Sequence, residues 1–106
     1  MSDFLVVYIT ASRENAVDLA SALVDEKLAA CVNRIPGVES TYTWEGKVER
    51  DTEDLLIVKT RADLLDQLKE RVQALHAYDV PEIIAVPVVE GSESYLEWMA
   101  AALSEG

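Results

Sequence analysis

A chain of 106 residues is one domain's worth of sequence, spanning residues 1–106, and its 50% hydrophobic content argues against disorder. Twenty acidic against nine basic residues give a formal charge of −11, a field that repels phosphate backbones and anionic lipid surfaces. Nucleic-acid and membrane partners are therefore disfavoured, and solubility, as in a salt-rich cytosol, is the plain reading of the charge. One cysteine permits no intrachain disulfide, and no apolar run is long enough to cross a bilayer, so the sequence reads as cytoplasmic.

Phe4–Thr10 is apolar and β-branched, as a strand requires. Ser12 is placed to cap a helix over Arg13–Glu26, with Ala16, Leu19, Ala20 and Leu23 as its buried stripe and Lys27 at its end. Leu28–Ile35 reads as a second strand, bent at Pro36-Gly37 and extended through Val38–Trp44. A turn at Glu45-Gly46 returns the chain through Lys47–Thr60. Thr60 with Asp63 predicts the cap of a second helix carrying Leu65, Leu68, Val72 and Leu75. Ile83–Val89 is a further strand, and Pro87 predicts an edge or bulge position for it. Ser94 with Glu97 predicts the cap of a last helix carrying Leu96, Met99, Ala100 and Leu103.

The fold class is thus α+β: a ferredoxin-like βαββαβ unit with a long β2–β3 hairpin and a C-terminal helix. Right-handed crossovers put both long helices on one face of such a sheet. Yet Phe4, Val6 and Tyr8 alternate with Leu5, Val7 and Ile9, so both sheet faces are apolar. An uncovered apolar face and an overlong hairpin both call for other subunits.

Chemistry-bearing residues gather in two stretches. Cys31 lies in Leu28-Ala29-Ala30-Cys31-Val32-Asn33, where a free thiol is either a small buried hydrophobe or a soft ligand. The sole histidine, His76, opens His76-Ala77-Tyr78-Asp79-Val80-Pro81-Glu82 at a helix end, where it either meets the last carbonyls or serves as a ligand. Asp79 reads as a solvated loop charge, and Glu82, beside a buried strand, as the more constrained carboxylate. Lys59, ending an apolar strand, either neutralises Glu82 or holds an anion. Tyr42, Trp44 and Lys47 flank the hairpin tip, where interface is the favoured reading. The spacing from Cys31 to His76 matches no local metal motif. Paired cysteines of a soft-metal chaperone, basic sheet aromatics of an RNA-binding domain, a Gly-rich phosphate loop and a Ser-His-Asp or Cys-His context are all missing from the sequence, and an enzyme is not supported.

These segments, with Pro36-Gly37-Val38, Tyr42-Thr43-Trp44-Glu45-Gly46-Lys47, Leu56-Ile57-Val58-Lys59-Thr60 and Tyr95-Leu96-Glu97-Trp98, closely resemble the CutA family of divalent-cation tolerance proteins. The resemblance implies an interlocked homotrimer similar to PII signalling proteins, a link to copper and other divalent cations, no organic cofactor and no catalytic activity. It carries over Cys31, His76 and Glu82 as metal-site candidates near a subunit interface, with Trp44, Lys59 and Tyr78 around them. A PII-like scaffold binding a small molecule or protein in inter-subunit clefts is the alternative. The chain departs from the family pattern at Ala77, usually Pro, at Asp79, often Glu, and at Thr43, often aromatic. Without the Pro, φ at residue 77 is left unfixed.

Overall fold

The computed structural model describes residues 3–104. Four antiparallel strands, β1 (Phe4–Ala11), β2 (Cys31–Trp44), β3 (Lys47–Arg61) and β4 (Ile83–Pro87), lie in the order β2-β3-β1-β4. Helix α1 (Arg13–Asp25) joins β1 to β2, α2 (Leu65–Leu75) joins β3 to β4, and α3 (Glu93–Leu103) follows β4.

The period-two pattern of β1 sends Val7, Ile9 and Ala11 to one face, where Leu56 and Val58 of β3 join them. Ala16, Leu19 and Leu23 of α1 and Leu68 and Val72 of α2 bury themselves against this row, so both helices share that face. The opposite face carries Val6 and Tyr8 of β1, in register with Lys59 and Ile57 of β3 and with Val86 and Ile84 of β4. Helix α3 covers one end of it, packing Met99 and Leu103 on Ala30 and Phe4. Among the described residues no other element covers it, and Ile35, Ile84 and Val86 are exposed there.

The hairpin behaves as its punctuation predicts. Ile35 pairs with Leu55 and Val38 with Glu53, so one extra residue bulges from β2, with Gly37 at φ 72°. At the tip Trp44 pairs with Lys47, and Glu45 and Gly46 both have positive φ, as a two-residue primed turn demands. The radius of gyration is 14.4 Å against about 13 Å for a compact chain of this length, the excess coming from the projecting hairpin.

Three predicted caps resolve differently. Ser12 caps α1, accepting from the Asn15 amide. Thr60 does not cap α2: it is buried in β3 and its hydroxyl donates to the Leu28 carbonyl, while a 3₁₀ turn over Ala62–Leu64 leads into the helix. A buried hydroxyl must find a partner, and the neighbouring chain supplied one before the helix began. Ser92, not Ser94, caps α3, accepting from the Tyr95 amide. Strand β2 starts at Cys31 rather than Leu28 because Leu28 and Ala29 donate back to the Leu23 carbonyl and close α1. In that closure Lys27 takes φ 59°, a position usually given to Gly, and its ammonium caps the end of α3 at the Ser104 carbonyl rather than α1. Strand β4 ends at Pro87, two residues short of Val89, and is an edge strand as Pro87 predicts.

Candidate functional site

The candidate residues fall into two clusters. The first stands on the open sheet face beside α3. Cys31 pairs with Lys59 across the β2–β3 ladder, which places thiol and ammonium on that face in one row with Val6 and Val86. The Lys59 ammonium donates to the Asn33 side-chain carbonyl, and the Cys31 thiol lies 3.9 Å from the same oxygen. Tyr95 reaches this cluster from α3, and burial followed by the Cys31 charge and hydrogen bond raises its hydroxyl above the usual tyrosine range. Its ring also stacks against Trp98 at 5.5 Å.

The second cluster closes the far end of the sheet. His76 is the C-cap of α2 and is buried, but its ring turns to β1 rather than to the last carbonyls of its own helix. Nε2 meets the Thr10 carbonyl at 2.8 Å, and Nδ1 accepts the Tyr78 backbone N–H at 3.0 Å. A backbone N–H only donates, so Nδ1 is the acceptor and the proton sits on Nε2. Tyr78 packs its ring 4.7 Å from the imidazole and donates its hydroxyl to Glu53, a mostly buried carboxylate, at 3.1 Å. Burial first and then Glu53 raise the Tyr78 hydroxyl above its ordinary range. Asn15 of α1 staples the link, donating to the Leu75 carbonyl and accepting from the Ala77 amide. Ala77 supplies a backbone donor that a Pro would lack, and the link is tied through it to Asn15.

These clusters do not meet within one subunit. Cys31 is level with Val6 and His76 with Thr10, four residues or about 13 Å along β1, and Cys31 lies a further two strands away. Glu82 is exposed and lies one residue before the β4 ladder begins, at the His76 end. Lys59 does not neutralise Glu82, because the register puts it beside Asn33 at the other end. Asp79 is exposed, as a loop charge should be. Trp44 stands at the hairpin tip, 55% exposed, far from both clusters along the strand. Among the described residues no three His, Cys, Asp or Glu side chains gather as a cation would need. Asn15, Asn33, Glu53 and Tyr95 were not foreseen. The partners of the Asn15, Glu53 and Tyr95 side chains, and the Lys59 partner of Asn33, lie far along the chain, and no local spacing signals them.

A model of the CutA1 divalent ion tolerance protein family matches residues 5–102. The chain belongs to that family. It is 55% identical over 95 residues to the divalent-cation tolerance protein CutA of Thermus thermophilus, covering 89% of this chain and 92% of that protein. It is 58% identical over 96 residues to the chloroplastic protein CutA of Arabidopsis thaliana, covering 90% of this chain and 53% of the relative. The chain thus spans only about half the length of that plant relative. Among solved structures, CutA1 from Oryza sativa superposes with a TM-score of 0.93 at 53% identity, covering 97% of this chain and 95% of that one. A CutA from Archaeoglobus fulgidus, described as periplasmic, superposes with a TM-score of 0.92 at 40% identity, covering 95% and 99%. CutA relatives are thus named from chloroplast and periplasm as well. Among the described residues no helix is long and apolar enough to cross a membrane.

Proposed function

We propose that this CutA chain is a non-enzymatic homotrimer serving divalent-cation tolerance in the cytoplasm, and that copper or a similar ion meets it at Cys31 where subunits join. The strand order supports the ferredoxin-like reading, and the PII-like trimer is proposed on the bare sheet face described next. One observation carries the proposal: Cys31 sits on the sheet face that α1 and α2 leave bare, and that face still exposes Ile35, Ile84 and Val86. A soluble monomer rarely leaves such a face to water, and a subunit laid upon it brings new donors to the thiol. An exposed carboxylate such as Glu82 of a neighbouring copy is a ligand of the kind required. His76 spends both ring nitrogens inside its own subunit, so its part is to hold the link that presents Tyr78 and Glu82. The thiolate favours late transition metals over Mg(II) or Ca(II).

In a second reading the chain is a PII-like scaffold that takes a small molecule or protein in inter-subunit clefts, with the polar cluster of Lys59, Asn33 and Tyr95 on the open sheet face as a contact group and metal incidental. Calorimetry with Cu(I) and Mg(II) at raised salt separates the two. Copper binding that survives salt and disappears in Cys31→Ser supports the metal reading. Binding that is lost to salt and indifferent to Cys31→Ser reflects the acidic surface alone and overturns it.

A further inference from the structure

Lys59 is a cation set among apolar side chains on the open sheet face. It shares a row with Cys31, Val6 and Val86, and the next row holds Asn33, Ile57, Tyr8 and Ile84. Among the described residues no carboxylate lies within ion-pair distance of its ammonium, whereas Arg34, Arg61, Lys69 and Arg71 each have one. In a chain of formal charge −11 such a cation is conspicuous. The ammonium donates to the Asn33 side chain, and the Cys31 thiol lies against the same Asn33 atom. An ammonium has no acceptor, so that atom is the amide oxygen and both N–H groups of the Asn33 amide are left over. They find no partner among the described residues. Tyr95 bounds the cluster from α3, with its hydroxyl spent on Cys31. What the cluster offers a ligand is therefore donors: the remaining ammonium N–H groups and the Asn33 amide. Building on the PII-like reading above, we propose that the strip of sheet beside α3 is an anion site, where Lys59 and Asn33 together bind the carboxylate or phosphate group of a small molecule.

In a lone subunit water solvates this half-buried ammonium, and no ligand is needed. Assembly changes that. A subunit laid over the apolar rows takes Lys59 out of water, and a buried charge without a counter-charge is costly. Helix α3 already stands on this end of the face, with Tyr95 and Trp98 rising beside the cluster. A neighbour seated on the flat rows meets that helix at its side, so the strip between them is a cleft rather than a flush contact. An anion in it supplies the missing counter-charge. Its oxygens accept from the ammonium and the amide together, and charge-assisted bonds of this kind are the strong ones. The same donors repel a bare cation, so the site differs in kind from a soft-metal site at the thiol. The Cys31 sulfur takes no part in it.

The test titrates the full chain with sodium acetate and, separately, inorganic phosphate at constant pH and ionic strength, following the Lys59 ε-carbon and the Asn33 side-chain amide by NMR. Both signals should shift together and saturate with at least one of the two anions, and the tighter one names the head group. Binding should weaken about tenfold or more in Lys59→Met. It should weaken as much in Asn33→Asp, which gives the ammonium a counter-charge of its own. It should survive Cys31→Ser, which separates the site from copper binding, and Lys69→Met, a control on the exposed surface. Signals that do not saturate, or binding equal in Lys59→Met or Asn33→Asp and the native chain, overturn the site. So does equal loss in Lys69→Met. Sedimentation equilibrium of the same samples tests the scaffold reading separately. A trimer whose Lys59 ignores both anions overturns the site and keeps that reading, and if Lys59→Met also dissociates it, a neighbour's carboxylate holds the lysine instead. A native monomer with a saturable response overturns the inter-subunit cleft and keeps the anion site on the subunit. If Lys59→Met fails to fold, Asn33→Asp and the native titration decide.

Discussion

The root and the tip of the β2–β3 hairpin are one pair of strands under two sets of forces. At the root, Leu56, Val58 and Thr60 are fully buried and alternate with half-buried neighbours, because α1 and α2 lie beneath them. At the tip, Lys47 to Thr52 are all exposed, and the ladder is kept by backbone bonds and cross-strand pairs alone. Two-stranded ribbons without a packed face are marginal in water. The tip is thus ordered by continuation from the root, and its Trp44, Tyr42 and Val48 are available for contacts outside the subunit.

The sharpest way to break this comparison is to empty the root. Leu56→Ala should cost about 2–5 kcal/mol of stability by denaturant unfolding, the range for deleting a fully buried Leu. Trp44→Ala, at the tip, should leave the fold of the subunit intact but weaken assembly more than Trp98→Ala does. Sedimentation equilibrium of the native chain should give about three subunit masses. The midpoint of thermal unfolding should rise with protein concentration and fall in Trp44→Ala. A folded native monomer, or a trimer indifferent to Trp44→Ala, would show that the tip does not interlock subunits.

Between root and tip sits Asp54, whose carboxylate accepts from Arg34 at 2.6 Å and from the Gly37 amide at 3.2 Å. The Arg34 bond, outweighing burial, holds this carboxyl below the usual carboxylate range. A depressed folded pKa stabilises above the unfolded value, near 3.9, and the benefit fades as pH falls through the folded one. Asp54→Asn should therefore lower stability at neutral pH and flatten the acid limb of the stability curve below about pH 4. An acid limb parallel to that of the native chain would count against the Arg34 pairing.

A smaller effect is expected at Tyr42, whose hydroxyl bonds Asp51 on the opposite strand. That bond, before any burial, pushes its pKa up to about 12. A raised folded value stabilises below the unfolded value, near 10, and is lost as pH rises toward the folded one. Ultraviolet titration should show a late-ionising tyrosine that disappears in Tyr42→Phe. The smallest change is Glu45→Asn: φ of 50° suits Asn better than Glu in a primed turn, and stability should rise by about 0.5 kcal/mol.

What the sequence disclosed follows from how far each interaction reaches. The strands, the helical stripes, the Ser12 cap, the bulge at Gly37 and the turn at Gly46 depend on residues within a turn or two and were legible. Thr60 and Ser94 do not cap as their spacing predicts, because a hydroxyl chooses among nearby partners only after tertiary packing: Thr60 bonds the Leu28 carbonyl, and Ser92 takes the cap. For the candidate site, Cys31 and His76 are conspicuous as single residues, but the register that sets them at opposite ends of the sheet cannot be read from either stretch. Asn15 is illegible for the same reason, since its two partners lie 60 and 62 residues away.

The bulge at Gly37 also turns the outer hairpin into a lever. Val38 to Trp44 rises about 3.3 Å per residue, an arm of about 23 Å, so a rotation of about 5° at the bulge displaces the tip by about 2 Å. Any surface the tip must meet with side-chain accuracy therefore sets an angular tolerance at the hinge, not at the tip. Beside the flanking ladder pairs, the side chain that braces that angle is Asp54, which accepts from Arg34 and from the Gly37 amide. Residue 54, at the root of the arm and not at its tip, thus bears on where the arm points.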